Sequence, residues 1–208
     1  MHRSMTMAAA GLAVLMMTAC GAGDPPAPER SLNAVYALVA STGIDYEPQR
    51  TTRGLAARSA LVVEGTIAGV SEGRSIGDPE LDLPPRSTVL LRVSVQETHK
   101  GTRQQAVLVE LPSEGSSAAD FAAVLPADLR VLVYAVPARG PNPGERVVTV
   151  SPEWRAAGRV WQPTSPQGLV VSDGTAVLTP LNDLRFPGTT LAVFRPAAGP
   201  YPPGVPLR

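Results

Sequence analysis

Side chains that could carry acid–base chemistry are sparse along this 208-residue chain. Of its two histidines, His2 lies at the very start, which leaves His99 as the imidazole within the body of the sequence. His99 stands beside Lys100 in a predicted turn, where a histidine is most simply an exposed surface residue. A serine–histidine–acid set needs an imidazole held against its nucleophile. We therefore predict no catalytic residue and no enzyme activity.

An acidic stretch, Asp78-Pro79-Glu80-Leu81-Asp82, holds three carboxylates. Ca²⁺ prefers hard oxygen ligands of this kind, but an EF-hand also requires a glycine at its sixth position and a later bidentate glutamate, which this stretch lacks. A single loop also seldom places two carboxylates across a cleft at the roughly 5–10 Å that glycoside hydrolysis needs. We predict a solvated loop without metal, and retain Asp78, Glu80 and Asp82 as weak metal candidates.

Both tryptophans of the chain lie in one short segment with two arginines between them. Indole rings offer flat apolar surface to sugars or peptides, and guanidinium groups bind carboxylates or stack on the rings. The alternative is that both rings fill the core of a domain that is poor in aromatic residues, with the arginines extending over them. The candidate ligand surface therefore consists of Trp154, Arg155, Arg159 and Trp161.

Cys20 is the single cysteine, between an apolar run (residues 8–17) and a polar, proline-rich stretch (residues 21–28). The apolar run is too short to cross a ~30 Å hydrocarbon core as a helix and fits the apolar part of a signal peptide. The stretch Met17-Thr18-Ala19-Cys20 resembles the lipobox of bacterial lipoproteins, with Met17 where that family prefers leucine. The resemblance implies cleavage before Cys20, acyl chains on its thiol and a position at the extracytoplasmic face of the cell membrane.

These features predict four parts: a signal peptide (1–19), a flexible proline-rich tether (20–30), a single β-domain (31–194) and a disordered proline-rich tail (195–208). Loss of Arg3 leaves 17 of the 18 basic side chains against 18 acidic ones, so charge gives no reason to expect nucleic acid as a partner. Lipidation of Cys20 would leave no thiol for a disulfide or a metal–thiolate site. No cofactor is predicted.

The β-domain is predicted from apolar residues that recur with a period of two. The clearest strand is Ser87 to Glu97, in which Val89, Leu91 and Val93 alternate with more polar positions. Asp173-Gly174 between two apolar runs predicts a hairpin whose two central residues take positive φ. Predicted strands cover 61–70, 87–97, 107–111, 129–136, 146–150, 168–172 and 175–179, and short helices are predicted at 31–39, 52–59 and 117–125.

The segments Leu-Val-Val-Glu-Gly-Thr-Ile (61–67), Val-Leu-Leu-Arg-Val-Ser-Val-Gln-Glu-Thr-His-Lys-Gly (89–101) and Val-Leu-Val-Tyr-Ala (131–135) resemble OB-fold-like barrels of the netrin type. They are also similar to a group of actinobacterial envelope proteins. The resemblance covers roughly residues 52–180. It implies a mainly β fold, with a single small antiparallel barrel and two or three short helices. A β-sandwich is the alternative.

The function predicted from these features is a non-enzymatic, lipid-anchored binding or interaction module of the cell envelope. Its partners would be membrane lipid through acylated Cys20 and an envelope protein or glycan. Two alternatives remain open: an envelope hydrolase acting on glycans, and a structural envelope component. A cleft lined by two acids near Trp154 and Trp161 would favour the hydrolase.

Overall fold

The computed structural model describes residues 30–39, 47–78, 80–81, 84–113, 115–182, 184–203 and 205–206. The predicted signal peptide, nearly all of the predicted tether, Cys20 and Asp82 lie outside these residues. None of the described helices has the length and apolar character needed to cross a bilayer.

Two short helices among the described residues precede the first strand, and two more lie between later strands. The hydroxyls of Ser31 and Thr51 accept hydrogen bonds from N–H groups of the following turn. Ser117 forms a capping box with Asp120. Such caps satisfy the N–H groups that have no partner within a helix. The described α-helices are α1 (Leu32–Val39), α2 (Thr52–Arg58), α3 (Ala118–Val124) and α4 (Pro152–Ala156), and the 3₁₀ turns are Pro166–Gly168, Pro180–Asn182 and Leu191–Phe194. The structure confirms the three predicted helices, and α4 is an addition to them.

Strands are the most abundant regular structure of the domain, as the period-two pattern predicts. Each predicted strand is found, although the first is seven residues longer than its pattern indicated because it continues through the less apolar stretch to Gly77. The strands are β1 (Leu61–Gly77), β2 (Arg86–Lys100), β3 (Ala106–Pro112), β4 (Arg130–Pro137), β5 (Arg146–Val150), β6 (Val160–Pro163), β7 (Leu169–Ser172), β8 (Ala176–Thr179), β9 (Leu184–Pro187) and β10 (Val205–Pro206).

Five of these strands pair in a ring, which we call the β-ring. β1 pairs antiparallel with β2, and β2 pairs antiparallel with β3. β3 runs parallel to β6 over two residue pairs, β6 pairs antiparallel with β4, and β4 returns antiparallel to β1. α3 lies between β3 and β4 in the chain.

The β-ring is part of one larger mixed sheet, so the prediction of a single small antiparallel barrel is only partly right. Along one edge, β1 pairs with β4 over residues 61–66 and with β5 over residues 74–77. β4 likewise pairs with both β6 and β7, and β8, β9 and β10 extend the sheet beyond β7. The mainly β class is confirmed. The described strands form one connected sheet rather than the two sheets of a sandwich.

The domain has two apolar layers that share β1 and β4. Leu61 and Val63 enter the first layer, whereas Val62 between them enters the second. In β4, Val131 and Val133 face the first layer and Leu132 faces the second. Because side chains alternate across a strand, burial of both faces requires an unbroken apolar run. The sequences of β1 and β4 begin with such runs.

The C-terminal segment is ordered through residue 203, contrary to the predicted disordered tail. The N–H of Tyr201 donates to the Arg50 carbonyl at 2.8 Å, and that of Thr52 donates to the Gly199 carbonyl at 3.1 Å. The Tyr201 ring meets Phe186 and Phe194 edge to face, with centroids 6.3 and 5.4 Å away. The proline content of this segment alone predicts disorder. The contacts of the Tyr201 ring with other aromatic side chains favour an ordered segment instead.

Candidate functional site

A cavity of about 400 Å³ lies between the β-ring and the loop formed by residues 139–145. We call it the loop cavity. Arg74, Thr88 and Glu110 line it from β1, β2 and β3, and residues 162–166 line it where β6 ends. Its volume is in the range of small-molecule sites.

Arg74 and Glu110 form a buried ion pair in the lining. Arg74 Nε lies 2.8 Å from Glu110 Oε1, and a terminal guanidinium nitrogen lies 2.9 Å from Oε2. Thr88 Oγ1 also lies 2.9 Å from Glu110 Oε1. The Arg74 guanidinium lies 5.2 Å from the centroid of the Trp154 ring, which is cation–π distance. Both charged groups therefore have fixed partners.

The 139–145 loop is fastened to the β-ring at several points. Arg74 donates to the carbonyl of Arg139, and the N–H of Arg139 donates to Gln162 Oε1 at 3.1 Å. Glu145 contacts Arg86 and accepts from the N–H of Asn142 at 2.8 Å. The Asn142 hydrogen bond and the Arg86 charge hold the pKa of Glu145 below its ordinary value. The loop is thus positioned by charge-assisted hydrogen bonds.

Two carboxylates, Glu110 and Glu145, therefore line one cavity, which is the arrangement a glycoside hydrolase would need. A hydrolase of that kind requires one carboxylic acid with a raised pKa and a second free carboxylate. Glu145 has a lowered pKa. Both oxygens of Glu110 accept hydrogen bonds from Arg74. Neither carboxylate is therefore suited to the acid or base role of a glycoside hydrolase.

A second charged cluster surrounds Glu64 at the start of β1. Arg195 Nε lies 2.9 Å from Glu64 Oε2, and Arg130 contacts Oε1. His99 Nε2 lies 3.5 Å from Glu64 Oε2, and its Nδ1 lies 3.4 Å from Glu97 Oε1. Burial alone would raise the pKa of Glu64. The hydrogen bond and charge of Arg195, together with the charge of Arg130, outweigh burial and lower it.

Glu64, Glu97 and His99 present ligand atoms within 4.8 Å of one another, the one such group among the described residues. A carboxylate–imidazole set of this kind could hold Zn²⁺ in principle. The guanidinium groups of Arg130 and Arg195 already contact the two oxygens of Glu64, so a cation placed there would face two positive charges. The arrangement is that of an ion-pair network rather than a metal centre.

The predicted ligand surface is divided by the structure. Trp161 is buried in the first apolar layer at 3% exposure, and the guanidinium of Arg159 lies 5.4 Å from its ring centroid. Trp154 is half-buried beneath Arg74, and Arg155 is exposed on α4. Trp161 therefore occupies the core position that the alternative interpretation gave it.

The acidic stretch and His99 differ from their predictions in different ways. Asp78 Oδ1 accepts from the N–H of Glu80 at 2.9 Å, which is a local turn contact. Asp82 lies outside the described residues. His99 was expected in an exposed turn, but it lies in β2 with a side chain only 12% exposed. Continued pairing of β2 with the start of β1 accounts for that burial.

The Gly-x-Ser-x-Gly pattern, which marks a nucleophilic serine at a strand-to-helix turn, occurs at Gly73–Gly77. Here it lies inside β1, not at such a turn. Ser75 Oγ shares a 2.7 Å hydrogen bond with Thr149, and Ser75 pairs with Ser87. His99 lies at the opposite end of the β1–β2 pair. The pattern has no catalytic geometry in this fold.

Apart from His99, the charged residues around Glu110 and around Glu64 were not singled out by sequence reasoning. Glu110 stands between Val109 and Leu111, and Glu64 follows three consecutive apolar residues. A charged residue inside an apolar strand is a signal, because a buried charge requires a partner. The partner itself cannot be identified from that signal. No family model, curated protein or solved structure matches the chain.

Proposed function

We propose that the chain is a lipid-anchored binding module at the extracytoplasmic face of a cell membrane, and that it binds its ligand in the loop cavity. The anchor is acylated Cys20, argued from the lipobox-like stretch Met17–Cys20. The observation that carries the binding role is the cavity itself: a fixed loop borders a small-molecule volume whose carboxylates are already paired.

We infer further that the β-ring is an OB-fold-like barrel. Barrels of that class close five strands in the order first, second, third, fifth, fourth, first, with a helix between the third and fourth. The order β1–β2–β3–β6–β4–β1, the parallel β3–β6 pair and the position of α3 support this inference. The connection from β4 to β6 corresponds to one of the loops that bind ligands in that class, and here it contains residues 139–145.

An envelope hydrolase acting on glycans is the second candidate, because Glu110 and Glu145 line the same cavity. It ranks below binding because each carboxylate is bound to a guanidinium group. Glu145→Gln separates the two functions. A hydrolase would lose turnover of envelope glycan while still binding it, whereas a binding module shows no turnover in either form. No specific observation favours a purely structural role.

Binding is tested in cells that carry the full-length protein. A photo-crosslinking residue replaces Asn142 at the loop cavity, and the matched control places it at Arg53, an exposed position of α2 outside the cavity. We expect a reproducible adduct from position 142 and none from position 53. Equal labelling at both positions, or none at 142, would contradict a ligand in this cavity.

The anchor is tested separately by Cys20→Ala. We expect loss of acyl labelling and accumulation of uncleaved precursor, because the thiol is the acceptor of the lipid. Met17→Leu is the control, since it brings the stretch closer to the lipobox and should be processed at least as well as wild type. Cleavage and release of Cys20→Ala like wild type, with no lipid on either, would contradict the anchor.

A further inference from the structure

We infer that the loop cavity takes a small amphiphilic anion, with a carboxylate head at Arg139 and an apolar tail against the inner wall. The inference rests on the proposed binding function and adds the chemical class of the ligand. Two observations carry it: the balance of charge in the lining and the apolar part of the lining.

The charge balance leaves one guanidinium for a ligand. Arg74 is paired with Glu110, and Arg86 is paired with Glu145. The exposed side chain of Arg139 forms no ion pair with any residue in the described ranges, although its main chain is fixed on both sides by Arg74 and Gln162. A free guanidinium on a fixed main chain is suited to bind a carboxylate.

Part of the lining is apolar. Ile76, Leu111 and Leu181 are buried aliphatic residues of the lining. Four prolines add to this apolar part and contribute no N–H group: Pro112, Pro141, Pro163 and Pro166. A hydrocarbon tail loses no hydrogen bond by contact with this part of the lining.

Other ligand classes fit less well. A cation would find both carboxylates of the cavity already bound to arginine. A nucleic acid or other polyanion requires a row of unpaired positive charges, and among the described lining residues Arg139 is the single unpaired one. One unpaired positive charge beside an apolar part of the lining matches a monoanion.

The test is a titration of the ¹⁵N-labelled full-length protein with hexanoate, butyrate, hexylammonium and 1-hexanol, followed by amide NMR shifts. We expect hexanoate to shift residues of the loop cavity and to bind about tenfold more tightly than butyrate, from two more buried CH₂ groups. Hexylammonium should bind at least tenfold more weakly than hexanoate. The affinity for hexanol should lie between the affinities for hexanoate and hexylammonium.

One variant identifies the head contact. Arg139→Gln should weaken hexanoate binding about threefold to tenfold, with little effect on the binding of hexanol. Arg53→Gln removes one positive charge outside the cavity and should leave the affinity unchanged. Wild-type-like hexanoate affinity in Arg139→Gln would overturn the assigned head position.

The outcomes also separate this inference from the proposed function. If hexylammonium or hexanol binds in the cavity more tightly than hexanoate, the anionic class is wrong and the binding site stands. If no probe shifts the cavity residues while Asn142 still crosslinks in cells, the class is again wrong. If neither occurs, both proposals fail.

Discussion

Arg74 donates to both carboxylate oxygens of Glu110, at 2.8 and 2.9 Å, in a place where the two side chains are 7% and 5% exposed. Burial of two charges costs free energy that their mutual attraction offsets only when the geometry is good. The two-point contact, Thr88 and the Trp154 ring supply that geometry. Each of the two buried charges is therefore tolerated because the other charge is present.

Glu110→Gln should destabilise the domain by about 3 kcal/mol or more, because it leaves the Arg74 charge buried without a counter-charge. The double variant Arg74→Met/Glu110→Leu should cost less than Glu110→Gln alone. Urea unfolding measures both. The control is Glu153→Gln in the more exposed pair with Arg92, which should cost less than about 1 kcal/mol. Equal losses of stability in Glu110→Gln and Glu153→Gln would contradict the mutual dependence of Arg74 and Glu110.

Glu64 makes stability depend on pH in the acid range. Burial favours its neutral form, but Arg195 and Arg130 outweigh that effect and lower its pKa in the folded state. A carboxyl whose folded pKa lies below the unfolded value, about 4.3, stabilises the protein fully above that pH. The contribution is lost as the pH falls through the folded pKa. Arg195 is stabilised in its charged form by the same contact.

Glu64→Gln should therefore be clearly less stable than wild type at pH 6, and the difference should shrink as the pH falls from 4 toward 2. Urea unfolding at each pH gives the difference directly. Glu97→Gln, in the same cluster but with a 55% exposed side chain, should show a smaller difference throughout. A Glu64→Gln difference that stays constant down to pH 2 would show that its charge is not responsible.

The strands and most helices could be predicted because their signals are local. Val89, Leu91 and Val93 alternate in the sequence and all are buried in β2. The hairpin at Asp173-Gly174 is confirmed between β7 and β8, but Gly174 alone takes positive φ, at 91°. Asp173 instead accepts hydrogen bonds from the N–H groups of Thr175 and Ala176. The turn is three residues long, which the dipeptide did not indicate.

The partners of each strand and the two charged clusters could not be predicted, because they depend on contacts far apart in sequence. β1 changes register with β2 at several bulges, and no local pattern fixes where they fall. Glu64 meets Arg195 across 131 positions. The loop cavity exists because the 139–145 loop folds back on β1, β2 and β3. Each of these is a property of the assembled chain.

Gly65 and Gly69 of β1 should respond very differently to alanine. A Cβ built at Gly65 would lie 2.1 Å from the Ser94 carbonyl oxygen of β2, whereas one at Gly69 would meet nothing within 4 Å. Gly65→Ala must push two paired backbones apart and should cost about 2 kcal/mol or more. Gly69→Ala should lie within about 1 kcal/mol of wild type. Thermal unfolding compares them, and equal effects would contradict the close approach of β1 and β2.

Composition and packing lead to opposite predictions for the stability that the C-terminal segment contributes. If residues 195–208 were disordered, a stop codon after Phe194 would leave stability unchanged. The structure instead gives Tyr201 an aromatic contact with Phe194, and gives Arg195 an ion pair with Glu64. Truncation after Phe194 should therefore cost about 3 kcal/mol or more, since it exposes the second apolar layer and leaves Glu64 short of a partner.

The matched control ends the chain after Pro206, which keeps β10 and every contact of the described segment. It should unfold within a degree or two of wild type, whereas truncation after Phe194 should lower Tm by about 6 °C or more, at roughly 2–4 °C per kcal/mol for a domain of this size. Tyr201→Leu in the full chain isolates the ring and should give part of that loss. Full stability after truncation at Phe194 would mean that the segment does not close the second layer in solution.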